Sequence, residues 1–218
     1  MIQEYENRGQ RGKKRAPAAL YVLVALSLVA TASLPGCAGR GQTRNAEIHP
    51  VSKPAPGLAA APFFPLAIGN TWKYAGSHLG EDWEKKIEIV DREGAWYIDN
   101  QGERFLVDAE GLRGPTRYLL RAPIVPGEEW SAVVSLSHTE YYAITEIDVT
   151  ATVPAGRFHG CVRVTGRLRV EPTANLFQTS TYCPGVGLVQ VRSWIDAAGR
   201  GRIPQARMDL LEYRLAES

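Results

Sequence analysis

Histidine, cysteine and methionine are scarce: the 218 residues hold four, three and two of them. A four-ligand zinc site of Cys and His would consume most of that supply, and His49, His78 and His138 lie scattered without ligand spacing. No metal and no cofactor is expected. Catalytic signatures are missing as well. There is no G-x-S-x-G elbow, no H-E-x-x-H helix and no G-x-x-x-x-G-K-[ST] phosphate loop. In Gly76-Ser77-His78-Leu79-Gly80 the serine stands one residue early for an elbow. Glu128 and Glu129 follow a turn and need only solvation, although paired acids in a cleft do serve glycoside hydrolysis. Charge of one sign is lacking too, with 25 Lys and Arg against 23 Asp and Glu. No stretch sustains a 3.6-residue apolar period, which argues against helices.

What is present begins with an address. Arg8, Arg11, Lys13, Lys14 and Arg15 precede an apolar stretch from Leu20 to Ala32. That stretch is too short for a spanning helix of about 20 residues and suits a secretory signal. Leu34-Pro35-Gly36-Cys37 resembles the lipobox of bacterial lipoproteins, with Pro35 a less usual residue at its place. The resemblance implies a signal peptide over 1–36, cleavage before Cys37 and lipidation of Cys37. Ala38 follows, where aspartate is the usual inner-membrane retention signal in enteric bacteria, so the implied address is the periplasmic side of the outer membrane. Without the leader the chain keeps 20 basic and 21 acidic residues. Near neutrality gives no electrostatic case for nucleic acid.

Residues 37–61 are Gly, Ala, Pro and polar in character and read as a flexible tether. One domain, Pro62 to Ala216, remains. Its runs of Val, Ile, Tyr, Trp and Thr alternate with turn residues and predict strands at 71–77, 83–91, 95–100, 103–108, 116–121, 130–137, 139–153, 157–170, 176–183, 187–195 and 205–214. Short links such as Arg92-Glu93-Gly94 and Pro154-Ala155-Gly156 make sequence neighbours antiparallel partners. The expected fold is all-β: a curved antiparallel meander that closes partly or fully into a barrel, a half-open β-barrel. The alternative is a two-sheet sandwich. Pro65-Leu66-Ala67-Ile68-Gly69-Asn70-Thr71-Trp72 and Pro123-Ile124-Val125-Pro126-Gly127-Glu128-Glu129-Trp130 share one frame. Trp72 and Trp130 either plug a reused structural corner, the favoured reading, or frame a pocket.

With Cys37 lipidated, Cys161 and Cys183 remain in an oxidising compartment, which favours a disulfide. They stand symmetrically about Pro172, within Glu171-Pro172-Thr173-Ala174, and so oppose each other across a hairpin. A metal pair with His159 and a reactive thiol are the competing readings. Turning the chain at Pro154-Ala155-Gly156 pairs Thr152 with Arg157, Glu146 with Arg163 and Asp148 with Cys161, and sets Ile147 against Val162. The disulfide is then expected on the charged side of the sheet, a conclusion that a one-residue slip would invert. Arg163, Arg167 and Arg169 share that side, in a segment (157–214) with nine basic and four acidic residues. They form a candidate anion-binding face. The competing reading is a solvated face paired to acidic neighbours, with Glu146 opposite Arg163 as its example.

Three stretches, FFPLAIGNTWKY (63–74), TVPAGRFHGCVRV (152–164) and TYCPGVGLVQV (181–191), together resemble a family of secreted bacterial proteins and lipoproteins sometimes labelled TapB-like. The family motifs fall on Phe64 to Trp72, Val153 to Phe158 and Pro184 to Val189. The resemblance implies a curved antiparallel sheet and carries over no catalytic residue. The chain is thus expected to be a non-catalytic binding or assembly module, membrane-bound through its lipid anchor, for a lipid or other apolar ligand. A scaffolding subunit with an envelope protein partner is the alternative. A hydrolase with dispersed residues is a third.

Overall fold

The computed structural model describes residues 58–136 and 138–216. After a 3-10 turn at Ala61–Phe63, twelve strands follow: β1 (Thr71–His78), β2 (Glu81–Glu93), β3 (Trp96–Asp99), β4 (Arg104–Asp108), β5 (Gly111–Arg113), β6 (Tyr118–Arg121), β7 (Glu129–Ser135), β8 (His138–Val153), β9 (Gly156–Glu171), β10 (Ala174–Cys183), β11 (Gly187–Ala197) and β12 (Gly201–Arg214). Each expected strand is present. The additional one, β5, is three residues squeezed between two turns, too short to show an alternation of its own. The signal peptide, Cys37 and the tether as far as residue 57 lie outside the described residues. Leu58 pairs with Ile124 and Ala60 is buried, so residues 58–61, read as tether from their composition, pack onto the fold.

All twelve strands belong to one antiparallel sheet in the order β6-β5-β4-β3-β2-β1-β12-β11-β10-β9-β8-β7. Sequence neighbours pair throughout except β6 and β7, and β1 pairs with β12, joining first strand to last, with Thr71 opposite Arg214 and His78 opposite Ala206. The sheet nearly closes into a barrel, with one unsealed seam between its edge strands β6 and β7. Side chains bridge the seam. Trp130 Nε1 donates to the Tyr118 carbonyl at 3.0 Å, and Arg117 pairs with Glu140.

The repeated sequence frame is a repeated corner. Gly69 and Gly127, at φ 90° and 83°, occupy a region open to glycine. Their N–H groups donate to the carbonyls of Ile89 and Ile144, both at 2.8 Å. Ile89 and Ile144 in turn donate to the carbonyls of Asn70 and Glu128, both at 2.9 Å. Each corner launches a strand whose second residue is a buried tryptophan, Trp72 or Trp130. The two rings lie in different core clusters, joined by Phe64, which stacks on Trp72 at 5.6 Å.

One cluster gathers Phe64, Leu112, Leu120, Trp130, Ile144 and Val164, drawing the two sides of the seam together. The other holds Trp72, Tyr74, Val153, Cys161, Val189 and Leu210. The end of the β8–β9 hairpin reaches across to β12, where Ala155 N–H donates to the Leu210 carbonyl at 3.0 Å. This part of the barrel is filled with side chains.

A bulge decides where the disulfide sits. Thr152 opposes Arg157 and Glu146 opposes Arg163, as the sequence suggests, but Val149 rather than Asp148 opposes Cys161. Asp148 and Gly160 have φ values of 55° and 67°, and the irregularity shifts the alternation by one residue. Cys161 and Val162 are consequently both buried, at 0% and 1% exposure, while Ile147 is left at the surface. Cys161 is bonded to Cys183, and the bridge lies in the core with Trp72 and Leu210. The expectation that it braces the charged face is corrected by that slip.

Candidate functional site

The three arginines of β9 do not converge. Arg163 Nη1 reaches Glu146 at 2.6 Å. Arg169 donates to the carbonyls of Glu171 and Pro172 in its own hairpin turn. Arg167 alone faces other functional-looking side chains, with its guanidinium 5.3 Å from the centre of the Tyr141 ring. The paired reading is therefore right for Arg163, and the candidate anion face narrows to Arg167.

Arg167 belongs to a row that crosses five strands. Tyr141 stands opposite Arg167, Arg167 opposite Phe177, Phe177 opposite Trp194 and Trp194 opposite Pro204. Phe177 and Trp194 stack at 5.5 Å, and Arg202 lies 5.0 Å over the Trp194 ring. Cross-strand stacks of this kind add roughly 0.5–1.5 kcal/mol each beyond area burial. An open hollow of about 490 Å³, lined by Ser131, Tyr141, Thr145, Thr165, Arg167 and Phe177 among others, lies along this row.

The reverse side of the same strands is different. Side chains alternate across a sheet, so the neighbours of this row share the face of the buried Val164 and Val191. There Glu140 opposes Leu168, Leu168 opposes Leu176, Leu176 opposes Ile195 and Ile195 opposes Ile203. None of the four aliphatic residues belongs to either core cluster or packs against one. Ile203 is 39% exposed, and Val170 beside the row 40%. β1 stops opposite Ala206, with Leu79 N–H on the Gln205 carbonyl. Beyond that point β12 continues to its hairpin without β1 beside it. In this region the sheet carries an aliphatic row on its inner side and stacked rings and guanidinium groups on its outer side.

At its β8 end the aliphatic row meets a polar knot. Glu140 accepts from Arg117 and from the Tyr142 hydroxyl. The Arg117 and Glu140 side chains are only 15% and 20% exposed. Tyr142 stacks on Trp130 at 5.5 Å and lies over Gly166, where an added Cβ would approach its ring to 2.9 Å. Glycine at 166 lets the ring settle against β9.

Burial, above all, raises the phenol pKa of Tyr142 well past its ordinary 10.0, and the Glu140 carboxylate adds to this against the opposing pull of Arg117. Burial does the same for Tyr74. Both phenols stay protonated in the folded chain at pH values where the unfolded chain already ionises. Stability is therefore intact below the ordinary value and falls above it, by up to about 1.4 kcal/mol per pH unit for each group. Urea unfolding between about pH 9 and about pH 11 should show this decline, and Tyr142→Phe should make its slope shallower.

Sequence reasoning passed over the aliphatic row, because half-buried Leu and Ile at alternate positions look like any core face. Ser135 Oγ and His138 Nδ1 lie 3.0 Å apart, at the tip of the β7–β8 hairpin and outside the hollow along Arg167. Among the described residues, no three His, Cys, Asp or Glu side chains form a group that could hold a metal ion.

No known family matches the sequence, and no curated protein is similar to it. The resemblance to the TapB-like proteins thus rests on the three stretches alone. Two solved structures show distant similarity. A chain described as a lipoprotein from Parabacteroides distasonis has 17% identity and a TM-score of 0.39, with 70% of this chain and 98% of that one covered. A chain described as an exported protein with a YmcC-like fold, from Bacteroides fragilis, has 12% identity and a TM-score of 0.42, with 72% and 100% covered. Similarity this distant leaves function to be argued from the site.

Proposed function

We propose that this chain is a lipoprotein of the bacterial cell envelope, anchored through Cys37 on the periplasmic side of the outer membrane. Its β domain is a non-catalytic binding module for a lipidic or otherwise apolar ligand. The observation that carries the reading is the row Leu168, Leu176, Ile195 and Ile203, half-buried yet outside both core clusters, on the inner side of a curved sheet whose interior around Trp72 and Leu210 is already filled. Half-buried aliphatic side chains in register across four strands gain free energy when their remaining surface is covered, at about 25 cal/mol per Å². The lipobox-like sequence supports the address.

Native mass spectrometry of residues 53–218, exported without the anchor, tests the binding. A discrete adduct that extracts into organic solvent is expected. Leu176→Asp and Ile195→Asp should each abolish it while leaving the core cooperatively folded, because neither residue belongs to a core cluster. A clean mass after incubation with envelope lipids would sink the lipid reading. A scaffolding role is the second reading, and its support is specific. The β7–β8 hairpin presents Val133 and Leu136 at 74% and 109% exposure, as a protein-docking tip would.

A further inference from the structure

The shape and polarity of this row narrow the ligand further, on the reading that it binds an apolar molecule. We infer that the ligand is a single-chain amphipath with a zwitterionic head group, its acyl chain along Leu168, Leu176, Ile195 and Ile203 and its head at Arg117 and Glu140.

Three features lead there. The apolar strip is narrow. The flanking row on one side is Gly166, Gln178, Ser193 and Ala206, in register across β9 to β12. On the other side stand Val170, which shares the face of Leu168, and the directly opposed Ala174 and Ala197. From Leu168 to Ile203 the strip crosses three inter-strand spacings, roughly 14 Å. Four half-buried aliphatic side chains fall far short of the ~800 Å² per partner that a stable protein interface buries. An extended acyl chain matches both the length and the width.

The polar end supplies the head-group argument. Leu168 faces Glu140 across the strands, so the strip runs directly into the Arg117–Glu140–Tyr142 knot at the seam. Both charged side chains are largely buried, and screening by salt is weak there. A purely anionic head meets Glu140 as well as Arg117, and a purely cationic head meets the reverse. A head with one charge of each sign is complementary to the pair, its anionic group toward Arg117 and its ammonium toward Glu140.

Photo-crosslinking of the full acylated chain, reconstituted in dioleoylphosphatidylcholine vesicles, provides the test. Three diazirine probes share one palmitoyl-length chain and differ in the head: phosphoethanolamine, carboxylate or trimethylammonium. The phosphoethanolamine probe should label β9 to β12 at the strip about three- to fivefold more than either other probe, in line with a half-buried ion-pair contribution. Glu140→Gln should raise the carboxylate probe in rank, Arg117→Gln the trimethylammonium probe, and Arg117→Lys should keep the original order. Equal labelling of the strip by all three probes overturns the head-group inference and leaves the apolar-ligand reading standing. Absence of labelling at the strip, with any probe, removes both. Should the charge variants fail to fold, the ranking on the native chain decides the question.

Discussion

Trp72→Ala is expected to cost about 3–5 kcal/mol, the range for deleting a large aromatic from a packed core. Most domains have only about 5–15 kcal/mol to lose. Three observations place Trp72 at the high end. Its ring is 1% exposed and stacks on Phe64 at 5.6 Å. Its Nε1 donates to the Val186 carbonyl at 2.6 Å. Through these contacts it ties the entry to β1 to the turn between β10 and β11, 114 residues away. That turn is further held by Gly185 N–H on the Pro62 carbonyl at 2.7 Å. Trp72→Phe keeps much of the ring and loses the indole donor, so it should cost less, with about 1 kcal/mol of its loss due to the hydrogen bond. Urea denaturation of both variants separates the two parts. Were Trp72→Ala to lose under about 1 kcal/mol, this ring would not be a core plug. Trp130→Ala should be milder globally and should instead speed hydrogen exchange in β6 and β7, because its indole bridges the seam rather than a closed pairing.

Removing the disulfide comes next in size. Cys161 and Cys183 are separated by 22 residues, and a loop of that order gives roughly 3 kcal/mol in the chain-entropy model. The Cys161→Ala/Cys183→Ala double variant should therefore unfold at clearly lower urea with a steeper denaturant dependence, since its unfolded chain is less constrained. Burial adds a kinetic expectation that a surface bridge would not share. Both cysteines are 0% exposed and sit among Trp72, Val189 and Leu210, so a reductant must wait for the fold to open. Thiol titration in native buffer should show slow reduction that urea accelerates by orders of magnitude. Rapid reduction of the native protein would contradict the inward placement of Cys161.

The strands and their nearest pairings were legible because a strand writes its own period of two, and because Pro, Gly and Asn mark where it turns. The hairpin about Pro172 set Cys161 against Cys183, and Tyr182 does stand opposite Val162 in the same register. The two Pro-x-x-x-Gly-x-x-Trp frames were legible as one corner used twice, down to the matching hydrogen bonds of Gly69 and Gly127. The three stretches behind the family resemblance proved to be structural. Trp72, Val153, Val186 and Val189 all meet in one core cluster, so the clearest signals in the sequence describe how the barrel is plugged rather than what it binds.

Sequence alone determined an all-β chain, its hairpin order, its cysteine partners and an N-terminal segment resembling a lipoprotein signal. Each of these is written locally, in alternation, turn residues or a short motif. Tertiary structure decided the rest. Whether Cys161 faces inward depends on the bulge at Asp148 and Gly160, and one extra residue exchanges the two faces of everything beyond it. Whether Leu168, Leu176, Ile195 and Ile203 are core or a half-covered row depends on where β1 stops against β12, a pairing between the two ends of the chain. Alternation gives a residue its side of the strand, and only the closure of the sheet determines what lies against that side.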